Sequence, residues 1–371
     1  MTYAKITGWG KCMPPAKLTN DDLATFLDTN DEWITTRTGM KERRISHVNV
    51  SELGHIAAER AIAAAGKQAL DVELIVFGST TFDEVCPNGA SNIQRLLGAK
   101  NAACMDVNTA CTSGMYSLSV ATSMIKSGVV KSAVIIGAEC VSKLMDWQNR
   151  DVAVLFGDGA AALYLEADEE EEGVIAESLG CYGESRDILA VKGWGSKYMH
   201  QGQLSGDTLW DFLGQEIFKK AVSGMAQACE KTLGKAGKTS AEIDVVVPHQ
   251  ANLRIIDTLA KKLHLDKERV FVNIERYGNM SAATALVALV EAAEEQKHHR
   301  IGVGTGGAAH LGDAQGRRQG QGQQNGDGAD EPQGQHRERL GIGQDQAGTD
   351  EAGAPQQNED HRNGPQKRRR R

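Results

Sequence analysis

The sequence predicts an α/β fold built from two similar halves, and three observations support this prediction. Short apolar runs at 74–78, 133–137 and 244–247 alternate with Ala-rich stretches of helical spacing, which is typical of a buried sheet covered by helices. Related segments recur at a separation of about 165–170 residues. The composition changes abruptly near residue 296, after which little apolar sequence remains to form a core.

Length, charge and cysteine content exclude several classes of protein. A chain of 371 residues is long enough for a large core, and its net charge of -8 argues against a nucleic-acid binder. Its seven cysteines include no CxxC pair, which argues against a zinc site or a disulfide framework. No apolar run approaches the roughly 20 residues that span a bilayer, and no signal peptide is visible. We therefore expect a soluble cytoplasmic protein without a membrane partner.

The internal repeat predicts where the chemistry lies. Segment 71–81 resembles 242–252, and segment 103–118 resembles 269–286, so equivalent turns of two halves should meet near a pseudo-twofold axis. One such turn carries Cys111, at the junction between a strand-like segment and a helical one. Unpaired backbone N–H groups at the first turn of a helix favour a thiolate, which is the nucleophilic form. The alternative for Cys111 is a buried core cysteine, as we expect for the other six.

His249 and Asn279 lie on the other two turns. His249 follows the apolar strand segment in "VVVPHQAN", and the carboxyl ends of strands are where open α/β sheets present their chemistry. Asn279 lies in "RYGNMSAAT", where Gly278 allows a tight turn. Each alone has a structural interpretation as a core histidine or a turn residue. Together with Cys111 they form a nucleophile and two polar groups able to stabilise a negative oxygen.

Five segments carry a specific family resemblance, which runs from the N-terminus to about residue 295. They are "TNDEWITTRTGMKERRI", "DVNTACTSG", "FGDGAAA", "PHQAN" and "YGNMSAAT". In this order and spacing they resemble beta-ketoacyl-acyl-carrier-protein synthase III. The resemblance implies a thiolase-like layered fold with an N-terminal half at 1–172 and a C-terminal half at 173–300, and it implies a homodimer.

The resemblance also implies a role for each residue of the trio. Cys111 would take an acyl group, usually acetyl, from acyl-coenzyme A. His249 and Asn279 would hold the thioester carbonyl of malonyl-acyl-carrier protein during decarboxylation, with neutral His249 donating from Nε2. The enolate would then attack the acyl group to give a 3-oxoacyl-carrier protein, which starts fatty-acid synthesis. We expect neither a metal nor a bound organic cofactor, since acyl-CoA and the carrier protein are substrates.

Coenzyme A and carrier-protein contacts follow from the same matching. Trp33 and Arg150 would sandwich the adenine, and Arg37 would hold phosphates, which suits stacking and charge-assisted bonds. Asn252 would order the site next to coenzyme A, and Arg254 would contact the acidic carrier protein. Gln215 is placed at the coenzyme A site, where asparagine is common.

Several alternatives stay open. A thiolase would be expected to carry a second catalytic cysteine where this chain has Asn279. Chalcone-type synthases also use Cys, His and Asn, but the "NDEW…TRTG" segment favours the synthase III branch. A related acyltransferase of secondary metabolism, which transfers acyl groups to oxygen or nitrogen, fits the sequence as well.

The C-terminus departs from the family pattern. Residues 301–371 are rich in Gln, Gly, Arg and Asp, which predicts a disordered tail and a C-terminal half without its last strand. Codons for residues 309–313, read one nucleotide later, can encode the family's Leu-Thr-Trp-Gly. This favours a reading-frame slip near 296–300, which resequencing the gene would test. An inactive, C-terminally altered paralogue is therefore a further alternative.

Cys86, before Pro87, stands where the family often has a bulky aromatic that caps the partner subunit's acyl pocket. A smaller side chain leaves more room, so we expect the enzyme to accept longer or branched primers. Rates measured with acetyl- and isobutyryl-coenzyme A would test this, and a strict preference for acetyl would contradict it.

Overall fold

A computed structural model describes residues 1–200, 203–204, 209–296, 300–304 and 307–310. All of these belong to one compact unit. Of the tail predicted at 301–371, only residues 301–304 and 307–310 are among the described residues. The two predicted halves thus share one body.

The described strands are β1 (Tyr3–Cys12), β2 (Ala16–Thr19), β3 (Glu42–Ile45), β4 (Leu74–Gly78), β5 (Ala103–Val107), β6 (Ser132–Cys140), β7 (Asp158–Asp168), β8 (Val174–Glu177), β9 (Leu189–Lys192), β10 (Met199–His200), β11 (Gln203–Leu204), β12 (Leu209–Phe212), β13 (Val245–Pro248), β14 (Arg300–Gly304) and β15 (Gly307–His310). The described α-helices are α1 (Asn20–Ala24), α2 (Asp31–Thr38), α3 (Val50–Ala64), α4 (Gly89–Leu97), α5 (Ser113–Lys126), α6 (Arg150–Ala153), α7 (Gly214–Ala236), α8 (Leu253–Lys262), α9 (Ile274–Tyr277) and α10 (Thr284–Gln296).

The N-terminal half is organised around a five-stranded sheet in the order β1-β7-β6-β4-β5. Strand β4 runs parallel to β5 and β6, whereas β7 runs antiparallel to both β6 and β1. Strands β4 and β6 are buried along their whole length and consist mainly of Val, Ile, Leu and Ala. Such continuous apolar runs are typical of strands covered on both faces.

The C-terminal sheet repeats this plan. Its order is β13-β14-β15-β8, with β13 parallel to β14, and β15 antiparallel to both β14 and β8. A parallel bridge from Val246 to Val270 adds the counterpart of β5 beside β13. Because order and directions match strand for strand, the prediction of an α/β fold with two duplicated halves is confirmed.

The C-terminal boundary differs from the prediction. Strands β14 and β15 lie at 300–310 and complete the second sheet, so this half does not lack its last strands, as the sequence had suggested. The low-complexity composition of this segment gave a wrong prediction. Two short strands of small residues can form here because β13 and β8 offer backbone pairing on either side of them. The reading-frame hypothesis itself stays a prediction.

Helices α5 and α10 pack against each other between the sheets, and this contact joins the halves. Small residues allow the approach: a Cβ at Gly114, in the first turn of α5, would lie 2.6 Å from the carbonyl oxygen of Ala282. A Cβ at Gly137 on β6 would meet the same oxygen at 2.6 Å. The segment just before α10 is therefore fixed closely against the start of α5.

A substitution at Gly114 tests the importance of this contact. Gly114→Ala should lower the free energy of unfolding by about 1–3 kcal/mol, because the added methyl meets backbone that must move. Gly234→Ala is the matched control, since its Cβ would meet nothing within 4 Å, and it should be neutral or stabilise by up to about 1 kcal/mol. Urea unfolding of both variants measures the difference, and equal stabilities would contradict the prediction.

Candidate functional site

Cys111 lies on a tight turn between β5 and α5. Ala110 before it has a left-handed backbone with φ of 53°, which is uncommon for a residue with a side chain. The hydroxyl of Ser113 stabilises the turn by donating to the Ala110 carbonyl at 2.7 Å and accepting from the Thr109 N–H at 2.9 Å. The turn thus presents the half-buried Cys111 at the start of a helix, as predicted.

His249 directly follows β13 and is buried. Its Nδ1 lies 2.7 Å from the Oγ1 of Thr284, the first residue of α10, and that hydroxyl also donates to the carbonyl of Ser281. Because Nδ1 is engaged inside the protein, Nε2 is the ring nitrogen left for reacting groups.

Asn279 precedes α10 and is also buried. Its backbone N–H donates to the carbonyl of Leu155 at 2.9 Å, and its carbonyl accepts from the N–H of Gly157 at 3.1 Å. These two bonds fix the main chain at Asn279. Its Oδ1 accepts the Ser281 N–H at 2.9 Å. Since the amide oxygen is already used, the Nδ2 hydrogens remain as donors for a ligand.

Ser281 connects the three predicted residues. Its N–H binds Asn279, its carbonyl binds the Thr284 hydroxyl that contacts His249, and its hydroxyl hydrogen-bonds the Cys111 side chain. Ser281 itself has a left-handed φ of 46°. The structure therefore brings the predicted trio together around one turn, with the cysteine from the first half and the other two from the second.

The protonation state of Cys111 differs from the prediction. Burial raises the pKa of its thiol to about 11, although the Ser281 hydroxyl opposes the shift, and the nearby Glu139 carboxylate raises the pKa further. The sequence predicted a thiolate from the helix terminus alone. Loss of hydration around the sulfur outweighs that contribution, so the resting group is a thiol at neutral pH.

The electrostatics of His249 follow from burial as well. Burial lowers the pKa of its imidazole to about 4, because the charged ring would lose its hydration. The ring is therefore neutral at pH 7, as the sequence predicted.

Glu139 is a buried carboxylate that connects the site to the N-terminal sheet. It accepts bonds from the backbone N–H of Thr80 at 3.1 Å, from the Thr81 hydroxyl at 2.7 Å and from the Ala282 N–H at 3.3 Å. Burial raises the pKa of this carboxyl, while these donors lower it. Glu139 thereby ties the loop after β4 to the segment that carries Asn279.

The predicted coenzyme A residues form a cluster at the surface. The guanidinium carbons of Arg37 and Arg150 each lie 4.5 Å from the centroid of the Trp33 ring. Arg150 also donates to the carbonyl of Asp28 at 2.6 Å. The three residues predicted to contact adenine and phosphate are thus adjacent, with Arg150 directly on the indole.

Asn252 and Arg254 connect helix α8 to helix α2. The Asn252 side chain caps α8 by accepting the Arg254 N–H at 2.9 Å and donates to the Arg37 carbonyl at 3.1 Å. The Arg254 guanidinium donates to the backbone carbonyl of Thr36 at 2.9 Å. Gln215 is exposed at the start of α7, and Cys86 is exposed in the loop between β4 and α4.

Two further properties concern metals and membranes. Within the described part of the chain, no group of three or more His, Cys, Asp or Glu side chains could hold a metal ion. Among the same residues, no helix combines the length and apolar character needed to cross a bilayer. All seven cysteines are free.

Comparison with known proteins connects this geometry to a family. A model of 3-oxoacyl-[acyl-carrier-protein] synthase III matches residues 105–183, and a model of its C-terminal region matches 233–309. The beta-ketoacyl-[acyl-carrier-protein] synthase III 2 of Vibrio cholerae is 49% identical over 295 residues, which is 80% of this chain and 82% of the relative. The chain belongs to the 3-oxoacyl-[acyl-carrier-protein] synthase III family. The predicted resemblance is confirmed.

Other synthase III proteins are also similar to this chain in sequence and in fold. The Roseiflexus castenholzii relative is 40% identical over 299 residues, covering 80% of this chain and 91% of its own. The crystal structure from Aquifex aeolicus has 39% identity and a TM-score of 0.74, covering 81% and 96% of the two chains. That from Thermus thermophilus has 34% identity and a TM-score of 0.77, covering 83% and 99%. The thiolase-like fold prediction for this synthase III is therefore confirmed.

Glu139, Ser281 and Thr284 were missed in the sequence. An acidic residue within the otherwise apolar strand "SAVIIGAEC" was a signal that Glu139 has buried partners. Ser281 and Thr284 lie in the segment "YGNMSAAT" that carried the resemblance, but nothing in the letters indicates a bond to His249.

The raised pKa of Cys111 predicts a steep alkylation profile. Because only the thiolate reacts, the iodoacetamide rate at Cys111 should rise about tenfold per pH unit from pH 7 to pH 9, without levelling. Mass spectrometry of the Cys111 peptide measures the rate, and Cys111→Ser gives the background from the exposed Cys86 and Cys181. A rate independent of pH in this range would show a resting thiolate instead.

Proposed function

We infer that this protein is a beta-ketoacyl-acyl-carrier-protein synthase III that condenses an acyl-coenzyme A primer with malonyl-acyl-carrier protein at the start of fatty-acid synthesis. The observation that carries the proposal is the joining of Cys111, His249 and Asn279 around Ser281 in a chain of this family. A nucleophile beside a neutral imidazole and a carboxamide donor is what acyl transfer followed by decarboxylation requires.

Acylation would use the thiol of Cys111. The sulfur bonds to the acyl carbon of acyl-coenzyme A as the S–H bond of Cys111 breaks. The bond from that carbon to the coenzyme A sulfur then breaks, coenzyme A leaves as a thiol that carries the proton, and the acyl group remains on the enzyme.

Condensation would use Asn279. Decarboxylation of the malonyl group places negative charge on the thioester oxygen, and Asn279 would donate to that oxygen from Nδ2, since its Oδ1 is already engaged by the Ser281 N–H. His249 contributes a neutral ring to the same cavity. Carbon dioxide leaves, the resulting carbanion bonds to the acyl carbon on Cys111, and the bond from that carbon to the Cys111 sulfur breaks. The 3-oxoacyl product stays on the carrier protein, and the Cys111 sulfur regains a proton.

Coenzyme A would bind at the cluster of Trp33, Arg37 and Arg150, with Asn252 and Gln215 as further contacts. Arg150 lies on the indole, so an adenine entering between the two must displace its guanidinium by the thickness of a ring. The Asp28 contact of Arg150 is exposed and therefore easily broken. Arg254, on the same side as Arg37, is the proposed contact for the acidic carrier protein.

Assembly and location are part of the proposal. Strand β5 is at the edge of its sheet among the described strands, and an edge strand offers backbone groups to a second copy of this chain. We propose a homodimer in the cytoplasm, without metal or bound cofactor. The structure of the priming beta-ketosynthase from the R1128 polyketide biosynthetic pathway has 28% identity and a TM-score of 0.77, so the same fold also occurs in secondary metabolism. An acyltransferase of secondary metabolism is therefore the second candidate.

An acyl-transfer assay tests this function on the full chain. Radiolabelled acetyl-coenzyme A should label Cys111, and malonyl-acyl-carrier protein should then release the label as 3-oxoacyl product. Cys111→Ser should abolish labelling, whereas Asn279→Ala should retain it but reduce product release by about 10²–10³, because one oxyanion donor is lost.

A folded dimer without label would instead indicate an inactive paralogue. Release of the label to a hydroxyl or amine acceptor, and not to malonyl-acyl-carrier protein, would support the second candidate.

A further inference from the structure

Glu139, near the end of β6, is fully buried between groups of both halves. Its Oε1 accepts two backbone N–H groups, from Thr80 of the first half at 3.1 Å and from Ala282 of the second at 3.3 Å. Its Oε2 is surrounded by hydroxyls, from Thr81 at 2.7 Å, from Thr80 at 3.0 Å and from Ser79 at 3.2 Å. One carboxyl group therefore joins the loop after β4 to the turn before α10.

Ala282 is held through both of its backbone groups. Its N–H donates to Glu139, and its carbonyl oxygen is the atom that a Cβ at Gly114 or Gly137 would meet at 2.6 Å. Gly137 and Glu139 both lie on β6, so one strand meets this residue at two positions. Because Asn279 is in the same turn, a displaced Ala282 also displaces the amide that would bind substrate, and about 1 Å at such a site costs roughly 10²-fold in rate.

The two oxygens of Glu139 meet different kinds of donor. A backbone N–H can only donate, so Ala282 requires an acceptor at Oε1. The Thr80 N–H reaches both oxygens, at 3.1 and 3.2 Å, and would still find an acceptor in Oε1 alone. The hydroxyls around Oε2 can donate or accept, so they would also bind an amide NH2 group. A glutamine would thus hold the same partners, and the holding contact does not explain why a charge is buried here at high cost.

The charge of Glu139 acts on the nucleophile. The Ser281 hydroxyl bonds both the Glu139 carboxylate and the Cys111 side chain, and its single proton is accepted more strongly by a carboxylate than by a neutral thiol. Burial is the main cause of the raised pKa of Cys111, and the negative charge of Glu139 raises that pKa further. Among the described residues, Glu139 is the charged group that acts on this sulfur, and the neutral His249 adds no charge.

We propose that Glu139 is a positioning residue with two effects on the site. Its Oε1 holds the turn of Asn279 against the half that carries Cys111, and its negative charge keeps the Cys111 sulfur protonated in the resting enzyme. Glu139 acts through Ala282 and Ser281 and not on the substrate directly. The inference rests on the proposed function for its consequence in turnover, but the protonation of the sulfur is a property of the free protein.

Alkylation of Cys111 in the free protein tests the effect of the charge. Glu139→Gln should raise the iodoacetamide rate at pH 8 by about 3–10-fold, because a lower thiol pKa gives more thiolate, although each thiolate is somewhat less nucleophilic. Glu139→Asp retains the charge and should react near the native rate. Glu291→Gln is the matched control, since Glu291 is also a buried glutamate but bonds Lys11 and Tyr277, and its rate should stay native. A native rate in Glu139→Gln would overturn the proposal.

Infrared spectroscopy of the native protein tests the same charge without any variant. Enzyme labelled with ¹³C at the glutamate side-chain carboxyl should show no absorption of a protonated glutamic acid at pH 7, because the donors around both oxygens of Glu139 favour the ionised form. A protonated glutamic acid at this pH would overturn the proposal, even if Glu139→Gln does not fold.

The two half-reactions test the positioning effect. Glu139→Ala leaves the Ala282 N–H without its acceptor, so release of the acetyl label to malonyl-acyl-carrier protein should slow by about 10–10²-fold. Acetylation of Cys111 should stay near the native rate, because Ser113 fixes that turn independently. Glu139→Gln keeps an acceptor at Oε1 and should release the label at close to the native rate.

Equal losses in both half-reactions of Glu139→Ala would show a merely structural role and overturn the proposal, as would a Glu139→Gln variant that releases the label as slowly as Glu139→Ala. Failure of the proposed function is recognised separately. A native protein that takes no label from acetyl-coenzyme A, while its Glu139→Gln variant is alkylated faster at Cys111, would contradict the proposed function and support the effect of the charge.

Discussion

The close approach of α5 to the turn at 279–284 is the contact on which the site depends. Gly114 and Gly137 both face the Ala282 carbonyl, so the nucleophile-bearing helix and the turn of the other half meet at backbone distance. Glu139 reinforces the contact by accepting the Ala282 N–H from within the N-terminal sheet. A catalytic cavity formed between duplicated halves needs this precision, because a shift of about 1 Å at such a site costs roughly 10²-fold in rate.

Duplication explains why the two halves contribute different chemistry from equivalent positions. Both sheets share one strand order, so β4 and β13 end at corresponding places and lead into corresponding turns. In the first half the turn before the central helix carries Cys111; in the second it carries Asn279. One ancestral plan thus supplies a nucleophile from one side and a hydrogen-bond donor from the other.

The fold and the trio were predictable because they depend on patterns that local sequence records. Apolar strand runs, the repeat and the polar residues at strand ends placed Cys111, His249 and Asn279 on facing turns. The protonation of Cys111 was not predictable, since it depends on how much water the assembled halves exclude. The hydrogen-bond partner of His249 could not be predicted either. Thr284 lies 35 positions away in the sequence, and nothing distinguishes its hydroxyl from others in the same segment. Strands β14 and β15 were missed because their pairing comes from the sheet and not from their own composition.

The protonated state of the resting sulfur has a consequence for the survival of the enzyme between turnovers. Peroxides and adventitious electrophiles attack the anionic form of cysteine, and a thiol whose pKa burial raises to about 11 offers them little of that form at neutral pH. The half-exposed position of Cys111 would otherwise invite irreversible oxidation. Chemical inertness in the empty enzyme is thus a by-product of the same dehydration that the reaction overcomes.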